Sequence, residues 1–152
     1  MLEPDLAWTG ARFESGVQVE LRSDGCLGRV GPRLAAETAV TPLRRRALLP
    51  GFVSAHSHAF QRGLRGFGEH FPSGAGSFWS WREAMYGLVE RLDADAIHAI
   101  SLRCFREMLA AGITTVGEFH YVHRRADGHW RDLDEAVLQA ARDSGIRLVL
   151  LQ

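Results

Sequence analysis

The pattern of apolar and polar positions changes character about a third of the way along the chain. In the first part the runs are short and alternate, as at Val17, Val19 and Leu21 ahead of a Ser23-Asp24-Gly25 turn. A two-residue period of this kind marks half-buried strands, so residues 6–31 predict a small β module. The stretch PRLAAETAVTPLRRR is polar and punctuated by proline, which predicts a connector with Arg44-Arg45-Arg46 as a solvated edge. From residue 48 the periods lengthen. ALLPGFVSAH is a nearly unbroken apolar run, the pattern of a strand buried on both faces. Residues 62–76 carry Gly63, Gly66, Gly68, Gly74 and Gly76 and predict a loop, of a length that usually serves function.

Helical spacing follows. Phe78, Trp81, Met85, Leu88 and Leu92 form one stripe behind Ser77 as N-cap. Asp93 caps a second helix with the stripe Ile97, Ile100, Cys104, Phe105, Met108 and Leu109, and Gly112 stops it. ITTVGEFHYV is β-branched and apolar and predicts a strand, RDLDEAVLQAARDSG a third helix ending at Gly145, and IRLVLLQ another strand. Strand, helices, strand, helix, strand is the order of βα units on a parallel sheet. The expected organisation is a β module with its connector over residues 1–47 and the first βα units of an α/β barrel over 48–152. Three parallel strands cannot close a barrel. The barrel is therefore expected to be incomplete here, and the chain to be the N-terminal part of a longer protein.

Composition narrows the partners. Eighteen basic residues balance eighteen acidic ones, so no net field draws the chain to nucleic acid or an anionic membrane. Every basic residue is arginine, which excludes Schiff-base or carbamylated lysine chemistry within this stretch. Cys26 and Cys104 fit no metal or redox spacing and read as reduced thiols. The N-terminus lacks a basic segment followed by an apolar one, and no apolar run approaches the roughly 20 residues of a membrane span. A cytoplasmic protein is expected.

Candidate chemistry begins at His56-Ser57-His58. On a strand, residues two apart share a face, so both imidazoles can meet one ion. The pair lies at the carboxyl end of a strand, where α/β folds bind their ligands. A zinc site with catalytic function needs three protein ligands and a water, or four with a carboxylate. Within the chain the further candidates are Glu118, His120 and His123; alternation puts Glu118 and His120 on one face and Phe119 and Tyr121 on the other. Polar residues that support a site from behind, or that line a loop, would explain the same three residues equally well. His70, His98 and His129 read as solvated.

LLPGFVSAHSHAFQRGLRG, followed by SFWSWREAMY and then GEFHYVH, resembles the first barrel strands of the amidohydrolase superfamily and, within it, the formimidoylglutamate deiminases. The resemblance spans the chain, but the chain spans only about the first third of such an enzyme. It implies a TIM-like (β/α)8 metal-dependent hydrolase barrel behind a small β-sandwich module. It further implies His56 and His58 as ligands of one zinc ion per active site, and Gln61, Arg82 and Tyr121 as contacts to the glutamate part of a small-molecule substrate. The remaining ligands, a histidine and an aspartate, together with the catalytic acid–base groups, come in the family from later strands, so none is assigned here. The implied reaction is hydrolysis of N-formimino-L-glutamate to N-formyl-L-glutamate and ammonia, in histidine degradation, by a zinc-activated water. As partners it implies no nucleic acid and no membrane, with a homodimer left open. Two rivals stand beside it: another amidohydrolase, such as a nucleobase deaminase or an imidazolonepropionase-like hydrolase, and a truncated, non-catalytic fragment.

Overall fold

In the computed structural model, which describes residues 1–34, 39–67, 76–123 and 131–151, the chain divides at Pro50 into two units. The first contains β1 (Leu2–Trp8), β2 (Phe13–Glu14), β3 (Val17–Leu21), β4 (Leu27–Pro32) and β5 (Thr41–Leu48). They form one five-stranded sheet: β1 pairs antiparallel with β2 and β3, β3 with β4, and β5 runs parallel to β1. In the β3–β4 turn the Asp24 carboxylate accepts the Cys26 N–H at 3.0 Å, a side-chain mimic of a turn bond that favours aspartate there. Ala7, Val17 and Val19 are buried, with Leu2 and Leu48 packed on them.

β5 overturns part of the connector expected before residue 48. Its side chains are almost all exposed, Arg44, Arg45 and Arg46 included, so hydropathy gives it no strand signature. What makes it a strand is its backbone, which pairs with β1 from Leu2↔Thr41 to Ala7↔Leu48. Pro42, which lacks an N–H, is tolerated because an edge strand leaves one side of its ladder free.

The second unit is a parallel three-stranded sheet, β6 (Phe52–Ser57), β7 (Ile113–Phe119) and β8 (Arg147–Leu151), in that order, with helices α1 (Phe78–Val89), α2 (Ala94–Ala110) and α3 (Arg131–Ser144). The first two helices begin where side chains supply missing backbone partners. Ser77 accepts the Ser80 N–H at 3.2 Å while Ser80 Oγ accepts the Ser77 N–H at 2.9 Å, and Asp93 accepts the Ala96 N–H at 2.8 Å. α2 is ended by Gly112, whose φ of 86° is a left-handed value that a side chain would strain.

The core joins Ile97 and Phe105 of α2, Leu133 and Val137 of α3, Val116 of β7, and Phe60. Full burial of such a side chain contributes roughly 1.5–3 kcal/mol. The expected loop over 62–76 begins instead as a 3₁₀ helix, Ala59–Leu64, because Phe60 and Leu64 turn into this core; Gly68, His70 and Gly74 lie outside the described residues. Arg62 anchors its outer side through two parallel bonds of 2.7 Å to Glu107 on α2.

Within this three-stranded sheet the strand expected to be buried on both faces is exposed at its start. The backbone breaks at Pro50-Gly51, and Phe52 and Val53 are 57% and 68% exposed. β6 is an edge strand, and on the sheet face away from the core Phe119, Val149 and Leu151 are exposed as well. No helix among the described residues is long and apolar enough to cross a membrane.

Candidate metal centre

His56 lies near the end of β6 and His58 directly follows it. Pairing with β7 advances three residues on β6, Ser54 to Ser57, against two on β7, Val116 to Glu118, so β6 carries a bulge at Ala55-His56. Such bulges re-aim side chains at strand ends. Here the two rings stand edge to face with centroids 4.6 Å apart and their Nε2 atoms 3.0 Å apart. His58 Nδ1 lies 2.8 Å from the Phe119 carbonyl oxygen. A carbonyl only accepts, so Nδ1 carries the proton and the Nε2 lone pair of neutral His58 is left facing His56. Two ligands about 2.0–2.1 Å from a tetrahedral ion sit roughly 3.3 Å apart. The donor set and its spacing fit a zinc-class cation, with the Phe119 carbonyl fixing the tautomer as metal-ligating histidines require.

Glu118 holds this corner from behind. It is fully buried, and its Oε1 accepts the Ala59 N–H at 2.6 Å, fixing the backbone immediately after His58. Burial raises its pKa, against the lowering effect of the Ala59 bond. Close approach of β6 to β7 depends on Gly117, where a Cβ would fall 2.8 Å from the Ala55 carbonyl oxygen.

Phe119 at the end of β7 and Tyr121 just beyond it lie against the histidines. Phe119 stacks on His56 at 6.2 Å, and Tyr121 meets His58 edge to face at 4.8 Å. Gln61 donates to the Tyr121 oxygen at 2.6 Å, and the Tyr121 hydroxyl donates to Met85 Sδ at 3.3 Å. Burial raises the Tyr121 pKa and keeps it a neutral donor. Gln61 and Tyr121 are thus brought together beside His58. Arg82 touches neither: its Nε donates to Tyr86 on the same helix at 2.7 Å, and its guanidinium lies 5.8 Å and 5.1 Å from the Trp79 and Tyr86 ring centroids. It sits one helical turn before Met85 and forms no ion pair among the described residues.

Of the further ligand candidates, none joins the pair. Glu118 and His120 point to the buried face of β7, and His123 bonds Asp134 on α3. Among the described residues no third donor completes the His56–His58 pair. His98 is not simply solvated, since it bonds Asp143 of α3 at 2.7 Å; His129 lies outside the described residues. Sequence reasoning missed Met85, which the α1 stripe marks only as core, and Asp134, one acidic residue among several at a helix start.

The profile of the amidohydrolase family matches residues 47–152. The chain belongs to the amidohydrolase family. Over 139 residues it is 41% identical to the formimidoylglutamate deiminase of Pseudomonas aeruginosa, covering 89% of this chain and 30% of that protein. A 5-methylthioadenosine/S-adenosylhomocysteine deaminase of Archaeoglobus fulgidus is 32% identical over 68% of this chain and 21% of its own length. The crystal structure of an amidohydrolase from Brucella melitensis superposes with a TM-score of 0.83 at 31% identity, over 99% of this chain and 34% of that one. Atrazine chlorohydrolase from Arthrobacter aurescens, crystallised with zinc, shares the fold at a TM-score of 0.77 and 20% identity, over 99% of this chain and 35% of that one. The chain thus spans about a third or less of the relatives it matches, and its fold is that of the N-terminal part of the amidohydrolase barrel.

Proposed function

We propose that this chain supplies half of a mononuclear zinc site and the glutamate-side pocket of a formimidoylglutamate deiminase, the polypeptide as a whole converting N-formimino-L-glutamate and water to N-formyl-L-glutamate and ammonia. The observation that carries the reading is the convergence of the His56 and His58 Nε2 atoms at 3.0 Å with His58 locked by Phe119. When bound, the cation would polarise the attacking water and lower its pKa toward neutrality. His56 and His58 would hold it, while Phe119 fixes the ring of His58.

Gln61 and Tyr121, tied to each other beside His58, offer neutral hydrogen bonds to a substrate. Arg82, with no carboxylate of its own among the described residues, offers a planar fork for the substrate's carboxylate. Reaching it requires the guanidinium to leave Tyr86. The 41% identity to a formimidoylglutamate deiminase supports this substrate over the methylthioadenosine and adenosylhomocysteine named for the more distant relatives.

The test is ammonia release by the zinc-loaded polypeptide that carries this chain together with its remaining ligands, offered N-formimino-L-glutamate, 5′-methylthioadenosine, S-adenosylhomocysteine or guanine. Release from formiminoglutamate, abolished by Arg82→Ala far more than by Arg91→Ala, is the expected result. Release only from the purine compounds overturns the substrate, and no release from any of them overturns the enzyme reading.

A further inference from the structure

On the other face of β7, away from the His56–His58 pair, a second group of nitrogen and oxygen donors converges. His120 follows the end of β7 and is completely buried, yet neither of its ring nitrogens has a hydrogen-bond partner among the described residues. His123 follows three residues later, and Asp134 comes from the first turn of α3. Asp134 Oδ1 is 3.1 Å from His123 Nδ1 and 3.6 Å from His120 Nε2, and the candidate ligand atoms of the three residues all lie within 4.8 Å of one another.

Those separations bracket the roughly 3.3 Å expected between ligands about 2.0–2.1 Å from a tetrahedral ion. As a plain hydrogen-bonded cluster the arrangement is poor. One carboxylate oxygen faces two imidazoles, and among the described residues neither nitrogen of the buried His120 ring makes a well-formed hydrogen bond. A cation among the three atoms would use the His120 lone pair directly.

We propose that His120, His123 and Asp134 form a second divalent-cation site, distinct from the His56–His58 site, which ties the end of β7 to α3. Two imidazoles and one carboxylate select zinc-class ions over calcium or magnesium, which prefer all-oxygen sets. The His123 side chain is 34% exposed, which leaves a path for the ion and a fourth position for water. The role is structural: bound cation favours the folded arrangement of β7 and α3 by mass action.

The site is tested apart from the first by removing the first. The protein carrying His56→Ala and His58→Ala is stripped with a chelator and titrated with Co2+ and with Zn2+. The expected result is one equivalent of cobalt with the intense visible bands of a tetrahedral site, and a melting temperature that rises with added zinc. Adding His123→Gln should weaken zinc binding on the order of 100-fold and remove the zinc-dependent rise. Asp134→Asn should do the same. His123 is half-exposed, so His123→Gln leaves the core intact, as circular dichroism would verify, and it decides the matter should Asp134→Asn fail to fold. The proposal is overturned by the double variant binding no cobalt, or by binding that His123→Gln leaves unchanged. Ammonia release plays no part in these readouts, so failure of the formiminoglutamate reading leaves the expected stoichiometry as it stands.

Discussion

His58 gives its Nδ1 proton to the Phe119 carbonyl oxygen across the β6–β7 pair, at 2.8 Å. One main-chain acceptor thereby decides which nitrogen of His58 is left to bind an ion. Nitrogen NMR of the metal-free protein should show His58 protonated on Nδ1 at neutral pH. A dominant Nε2–H tautomer would contradict the assignment. His58→Ala and His56→Ala should each lower zinc affinity at this site roughly 100-fold or more, and chelation should reproduce their loss of hydrolysis.

Gln61 and Tyr121 act as a pair, so their effects should not add. Tyr121→Phe is expected to raise KM for formiminoglutamate roughly tenfold, the equivalent of a hydrogen bond of about 1–1.5 kcal/mol. With Gln61→Ala already present, the same change should have a smaller effect. Strict additivity of the two in a double-mutant cycle would show that the contact is incidental to binding.

At Gly117 β7 lies close against the backbone of β6. A methyl group there would press on the Ala55 carbonyl oxygen at 2.8 Å, and backbone cannot rotate away as a flexible side chain can. Gly117→Ala should cost roughly 1–3 kcal/mol in denaturant unfolding. It should also loosen zinc binding at His56, one residue from the clash, although it removes no ligand.

Glu107 is held by the Arg62 fork, which lowers its carboxyl pKa from 4.5 to about 2, with a smaller contribution from Arg103. Because the folded state binds this proton less tightly than the unfolded chain, the stabilisation is complete above the unfolded pKa and fades as pH falls through 4.5 toward about 2. Urea midpoints of wild type and Glu107→Gln should differ by a constant amount above about pH 6 and converge as acid is added. A gap that widens on acidification would contradict the pairing.

The three helices were legible because each carries its own evidence: caps at Ser77 and Asp93, a glycine stop at Gly112, and apolar stripes that the core then uses. β5 was not, since its strand character comes from the backbone of β1 and leaves no mark on its own exposed side chains. The apolar run before His56 marks residues suited to burial, and in a sheet of three strands nothing covers Phe52 and Val53 among the described residues.

Within the site, His56 and His58 could be read directly because two-residue spacing on a strand is a geometric statement. Gln61 and Tyr121 lie 60 residues apart, and only the family resemblance joined them before the fold did. Asp134 was invisible, because Asp132, Asp134 and Glu135 at the start of a helix are what the helix dipole favours in any case.

The strict alternation along β7 restricts how this segment can evolve. Exchanging one residue for another between Glu118 and Tyr121 alters one side of the strand and leaves the other intact. Deleting or inserting one residue there would trade the sides of everything beyond the change, turning the Tyr121 ring toward the core and carrying His120 out to the His56 surface. Lineages that keep both sets of donors are therefore expected to vary this stretch in identity and never in length.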